Sequence, residues 1–207
     1  MHLIDLTVPL NAHTPVYEDV NGSRDPAYSA EPWATINEHG YSVHRLEMGT
    51  HTGTHLDAPA HFHVGARTVD QILPHELVGP AVVIDVRSLA RVTAAVLRPY
   101  SGPLLDGGVP LFLAPDSGVL LCEDAVAAVM SWRPRVLLYA GQFLDERERY
   151  HHNRAWLGAD IPLVTDLQPL AAARVRDGDL LIVAPLALEG MDGAPCRVFA
   201  VNFGANP

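Results

Sequence analysis

Residues 51–63 read HTGTHLDAPAHFH, which places His51, His55, His61, His63 and Asp57 within thirteen positions. Imidazole nitrogens and a carboxylate oxygen are the ligands that Zn²⁺ and similar ions accept, and a catalytic zinc site uses about three protein ligands plus water. Gly53 and Pro59 disfavour a regular helix through the stretch. In an extended chain successive side chains alternate between faces. All five candidate residues carry odd numbers, so an extended path that bends at the Gly and Pro aims several of them at one point. His51, His55 and Asp57 can then supply N, N and O. The spacing is not that of the helical HExxH site, because Thr52 stands where the glutamate would be. The bland alternative is an accidental cluster of surface histidines. Concentration beside an aspartate, interspersed with Gly, Thr and Pro, argues against it.

The flanking sequence must position this segment. HLIDLTVPL alternates as a first strand does. Residues 14–34 contain Pro15, Pro26, Pro32, Asn21, Gly22 and Ser23 and read as a long loop of the functional kind. YSVHRLEMGTHTGTH reads as one strand running into the histidines, with His39 and His44 at the surface. GPAVVIDV (79–86), VPLFLA (109–114) and RVLLYA (135–140) are apolar runs suited to buried strands. VTAAVLRPY (92–100) reads as a short helix stopped by Pro99. In CEDAVAAVMSW (122–132), Glu123 and Asp124 suit a helix's first turn, and Ala125, Val126, Val129 and Met130 form its apolar stripe. NRAWLGAD (153–160) is a further short helix, and IPLVTDL, DLLIVAPL and CRVFAVNF are closing strands. DERERYHH (145–152) reads as a solvated helix face and GMDGAP (190–195) as a turn with local reasons for its glycines and aspartate. Helices and strands mix without strict βαβ alternation, so the expected class is α/β, or mixed α+β, with a mixed sheet in a single domain spanning 1–207.

Composition excludes other classes. The formal net charge is −10 and no Lys/Arg-rich run occurs, so the basic footprint of a nucleic-acid binder is missing. A hydrophobic fraction of 48% with 18% charged residues reads as a globular chain. No apolar run reaches membrane-spanning length. Two cysteines, Cys122 and Cys196, cannot form a disulfide framework and read as buried apolar residues. With no basic-then-apolar start in MHLIDLTVPL, the expected location is the cytoplasm.

HTGTHLDAPAH resembles the HxGTHxDxPxH signature of the cyclase-like family that includes bacterial kynurenine formamidase (arylformamidase). DLTVPL, HFHVGARTVDQILPHELVGPAVVIDV and PLALEGMDGAPCRVFAV are similar to that family's framework, and the similarity is weakest between about 100 and 160. The resemblance implies a swivelling β/β/α fold, a homodimer or homotetramer, and a divalent metal, zinc or manganese. It implies that His51, His55 and Asp57 ligate the metal, and that His61 is the general acid/base beside a metal-activated water.

The chain departs from the family pattern at the second metal. There the family carries a His and a Glu twelve residues apart; this chain has Asn153 and Thr165. His152 and Asp166 stand one residue to either side and would need a register shift to substitute, which on a strand turns a side chain to the other face. One ion per chain is therefore expected. Ala140 and Phe143 also replace an Asp and a Ser of the family pattern, and the 100–121 segment is shortened. These changes point to an altered pocket, for which Tyr17, Trp33, Phe62 and His63 are candidate lining residues. Three functions are open at this point. The first is hydrolysis of a small amide. The second is ring closure or dehydration of a polyketide-like natural-product intermediate, with the metal polarising a carbonyl. The third is metal binding without catalysis. All three take a small-molecule partner, not nucleic acid or a membrane.

Overall fold

The molecule is built around one eight-stranded mixed sheet that closes on itself. The computed structural model describes residues 1–18 and 21–204; the expected loop at 14–34 includes positions 19 and 20, outside the described residues. In chain order the strands are β1 (His2–Asp5), β2 (Ser29–Ala34), β3 (Val43–Glu47), β4 (His55–Asp57), β5 (Val78–Asp85), β6 (Arg91–Val92), β7 (Val109–Leu113), β8 (Val119–Leu121), β9 (Leu137–Ala140), β10 (Phe143–Asp145), β11 (Leu163–Thr165), β12 (Leu180–Pro185) and β13 (Gly193–Asn202). The helices are α1 (Ile36–His39), α2 (Ala94–Leu97), α3 (Ser101–Leu105), α4 (Glu123–Trp132), α5 (His151–Gly158) and α6 (Pro169–Ala172).

The sheet runs β1-β13-β12-β5-β7-β9-β11-β4. β5, β7, β9 and β11 are parallel, while β4 and β12 run against their neighbours. The long β13 closes the ring: its first residues, Gly193–Pro195, pair with Asp57–His55, and its last residues pair with β1. Alternation along the strands then makes two cores. Leu56, Leu111, Leu138, Val164, Ala194 and Val198 point inward. Phe112, Leu137, Tyr139 and Leu163 point outward into a second cluster with Val126, Val129 and Trp156 of α4 and α5. A mixed α/β architecture is thus observed, as the sequence pattern suggests. No helix of the described residues is long and apolar enough to cross a membrane.

Several local expectations change. The single strand expected over 41–55 is two strands, β3 and β4, separated by a turn in which Gly53 takes φ +67°. The end of the expected 14–34 loop is β2, which among the described residues pairs only with β3; Pro32 is tolerated because such a two-stranded ribbon has open edges. Pro99 does not stop the helical segment: a 3₁₀ turn at Arg98–Tyr100 leads directly into α3. DERERYHH is not a solvated helix face. Asp145 closes β10, Tyr150 adopts the left-handed conformation at φ +65°, and α5 begins only at His151.

Candidate metal centre

Three short pieces of backbone bring the candidate residues together. The turn before β4 carries His51 and is locked by its threonines, both buried. The Thr52 hydroxyl accepts from the Gly49 N–H at 3.0 Å. The Thr54 hydroxyl donates to the Asp166 carbonyl at 2.6 Å and accepts from the Val8 N–H at 2.9 Å. β4 then sends Leu56 into the inner core and presents His55 and Asp57 on the outer face. After Ala58, a 3₁₀ turn at Pro59–His61 bends the chain back and returns His61 to the cluster. Gly193, opposite Asp57 on β13, leaves the space His51 fills: a Cβ there would lie 2.5 Å from the His51 ring.

The centre of the cluster is the Asp57 carboxylate. His51 Nδ1 lies 2.7 Å and His55 Nε2 3.1 Å from Asp57 Oδ1. His55 donates Nδ1–H to the Gly53 carbonyl at 2.7 Å, which turns Nε2 toward Asp57. The ring centroids of His51 and His61 are 3.9 Å apart. Asp192 Oδ2 bridges both rings, 2.9 Å from His51 Nε2 and 3.2 Å from His61 Nδ1, and its Oδ1 accepts from Thr50 at 3.1 Å. Donor atoms of His51, Asp57 and His61 all lie within 4.8 Å of one another.

Electrostatics follow from burial. Burial disfavours the ionised Asp57, but the charges and hydrogen bonds of His55 and His51 outweigh it and hold the carboxyl well below the usual range. The reciprocal effect acts on the imidazoles. Burial alone would lower the His55 pKa, yet the Asp57 charge and hydrogen bond raise it to about 9. His51 is raised for the same reasons.

Not every candidate joins the cluster. The parity argument fails for His63, because the 3₁₀ turn re-aims the chain; its Nε2 instead meets the Arg154 carbonyl at 2.8 Å. Phe62 stacks edge-on against His61 with centroids 4.6 Å apart. Tyr17 lies beyond it, against Tyr150 at 5.7 Å. Trp33 sits on the β2–β3 ribbon, 70% exposed. His152 is buried in the outer core with Nδ1 2.8 Å from Asp145, whose carboxylate also takes the N–H groups of His151 and His152. Asp166 takes φ +55°, and its carboxylate reaches only to 3.6 Å from His55 Nδ1. Neither belongs to the group of donors around Asp57. Asn153 donates to the Tyr139 hydroxyl at 3.2 Å, and the Thr165 hydroxyl lies 3.3 Å from His55 Nε2. Two participants escape a reading of the sequence. Asp192 looks like a turn residue, and its only hint is its place in the framework segment PLALEGMDGAPCRVFAV. Tyr139 sits inside an ordinary apolar strand; burial, then the charge of Asp57, pushes its phenol up.

Comparison with known proteins now decides the family. Over 94% of both chains the protein is 30% identical to a kynurenine formamidase of Bacillus cytotoxicus and 31% identical to one of Bacillus mycoides. The chain belongs to the cyclase family. The family's sequence profile, described as putative cyclase, matches residues 4–102 of this family member. Among solved structures, a potential metal-dependent hydrolase with cyclase activity superposes with TM-score 0.72 at 27% identity, covering 96% of each chain. Isatin hydrolase A from Ralstonia solanacearum shares the fold, with TM-score 0.80 at 22% identity over 97% of this chain and 92% of that one.

The residue set of this cyclase-family site fits a divalent ion. Asp57 is a buried carboxylate whose charge is offset here by protons on imidazoles, and a dication at the same place would offset it instead. His51, His55 and Asp57 offer the mixed N/O donors that zinc or manganese accept. A pH test follows from the signs. His55 binds its proton more tightly folded than unfolded, so that stabilisation is full below about pH 6.5 and is lost as pH rises through about 9. Asp57 contributes above its ordinary value of 3.8, and its contribution is lost as pH falls through its depressed folded value. The Tm of chelator-treated protein is expected to fall between pH 6.5 and 9. The rise in Tm on adding manganese should grow over the same window, because the ion displaces those protons. A metal-free Tm that stays flat there would contradict the His55–Asp57 contact.

Proposed function

We propose that this protein is a metal-dependent hydrolase of a small aryl amide, of the arylformamidase type. The observation that carries the reading is the convergence of His51 and His55 on the buried Asp57 carboxylate, with a ring nitrogen of His61 within 4.8 Å of it, in a chain aligned over 94% of its length with kynurenine formamidases. His51, His55 and Asp57 would hold the ion. When bound, it would polarise the amide carbonyl and bring the pKa of a water toward neutrality.

The protein's own groups do the rest. His61 is the solvent-reachable member, with its side chain 31% exposed. Asp192 holds its Nδ1, so Nε2 is the nitrogen left to face a substrate. From there it takes the proton of an attacking water and returns one to the leaving amine nitrogen. By gripping His51 and His61 together, Asp192 fixes the proton carrier against a ligand ring. Ring closure or dehydration has less support, since it is kynurenine formamidases that align over 94% of this chain. His61→Ala is expected to keep its metal and lose at least ~100-fold in turnover of an N-formyl aryl amine. Asp57→Asn should lose the metal itself by elemental analysis. An active His61→Ala enzyme, or solvent ¹⁸O absent from the released formate, would sink this mechanism.

A single ion per chain is part of the proposal. Asn153 and Thr165 are neutral, and both are engaged, with Tyr139 and His55 respectively. A second dication beside Asp57 would face repulsion from the first and meet neutral Asn153 and Thr165 where the family pattern has a His and a Glu. The purified protein is expected to hold one ion, and Asn153→His with Thr165→Glu to raise the content toward two. Two ions in the unaltered protein would overturn it.

We also propose a cytoplasmic homo-oligomer. The β2–β3 ribbon supports self-association: of its strand residues only Ala34 is buried, and it displays Trp33, Ile36, Tyr41 and Leu46. A lone two-stranded ribbon is marginal in water. Light scattering should give a dimer or tetramer that Trp33→Asp with Leu46→Asp dissociates. A wild-type monomer would refute it.

A further inference from the structure

Beyond the metal centre, a ladder of rings leads outward from His61. The Phe62 ring follows at 4.6 Å from His61, and Tyr150 at 6.3 Å from Phe62. Tyr17 meets Tyr150 edge-on at 5.7 Å. Two guanidiniums cap this ladder. Arg154 lies 5.0 Å over Phe62, and Arg149 lies 5.0 Å from the centroids of both Tyr17 and Tyr150.

Three observations make this more than packing. Tyr150 is a bulky residue held at φ +65°, a conformation that costs on the order of 1–3 kcal/mol and collects at functional sites. That backbone state ends the 146–150 turn and starts α5, placing Arg149 and Arg154 on the same side as the rings. The two cations also lack anionic partners. Among the described residues the arginines paired with carboxylates are Arg67, Arg87, Arg91, Arg147 and Arg197; Arg149 and Arg154 are not among them. Finally, the contact of His63 with the Arg154 carbonyl ties the start of α5 to the turn bearing His61 and Phe62, so the distance from the proton carrier to the cations is fixed. In a chain of net charge −10, two unpaired guanidiniums beside an aromatic wall at an active site form a local anion trap.

We infer that this ladder is the substrate's acceptor subsite and that it selects an aryl amide carrying a carboxylate. The ring lies along Phe62 and Tyr150, and the acid group is received by Arg154 and Arg149 through charge-assisted hydrogen bonds. The inference deepens the amide-hydrolase reading and rests on it for the identity of the reacting bond. It places substrate choice in the 146–154 segment, within the 100–160 stretch where the sequence resembles the family pattern least.

The test compares 2-formamidobenzoate with its methyl ester, which has the same ring and formamide but no charge. Formate release by the metal-loaded enzyme is expected to favour the acid in kcat/KM by about tenfold, the scale of a charge-assisted hydrogen bond. Arg149→Gln with Arg154→Gln should abolish that preference. Equal kcat/KM for acid and ester in the wild type, or a preference that survives in the double variant, would overturn the subsite. A second readout does not depend on turnover. Binding of 2-aminobenzoate, followed by its fluorescence, should weaken about tenfold in the double variant. Should no formamide be cleaved while this weakening is seen, the subsite stands and the proposed reaction falls. Unchanged binding in the double variant would sink the subsite, whatever the activity.

Discussion

The structure depends on keeping one buried carboxylate charged. Asp57 is 4% exposed and sits on a strand with Leu56 beside it facing the inner core. An unpaired carboxylate there would be strongly disfavoured, since burial costs an ionised group several kcal/mol unless partners compensate. The answer is a shell of imidazoles, His51 and His55, themselves fixed by the Gly53 carbonyl and Asp192. The nearby Tyr139 phenol stays neutral and adds no competing charge. The same shell that makes the charge tolerable gathers nitrogen donors around it.

That shell exists because strands distant in sequence are adjacent in space. β4 is only three residues long, yet it is paired on both sides, by β11 and by β13. Pairing with β13 places Gly193 opposite Asp57 and so makes room for His51. Pairing with β11 places Thr165 opposite His55, and Tyr139 of β9 follows on the same outer face. The 51–61 cluster, the polar wall of Tyr139 and Thr165, and Asp192 thus come from separate segments held by one closed sheet.

Much of this was legible in the residues and part was not. His51, His55, Asp57 and His61 declare themselves because imidazole is rare enough that four in one stretch demand a cause. The apolar runs that became β5, β7 and α4 declare themselves by length and periodicity. Illegible were the effects of tertiary contact. Asp192 carries every mark of a turn residue, and only the fold shows that it spans two histidines. His63 shares the parity of its neighbours but is turned away by a 3₁₀ bend. Asp145 sits in a charged run that reads as surface, yet it is buried under His152, because β10 ends there and two N–H groups at the start of α5 need an acceptor. For Asp192 and His63 a long-range hydrogen bond overrode the local pattern; for Asp145 it was the strand end and helix start folding onto each other six and seven residues apart.

The closure of the ring by β13 also sets an order of events. Asp192 stands immediately before β13 and Gly193 opens it, and both lie beside residues placed far earlier, at 51–61. During synthesis the histidine segment emerges long before the strand that completes its surroundings. A nascent chain therefore carries His51 and His61 before Asp192 and Gly193 are there to set their positions. The surroundings of the cluster are complete only when β13 docks, so a chain cut short of residue 192 keeps every histidine and loses both the carboxylate that spans two of them and the gap that one of them fills.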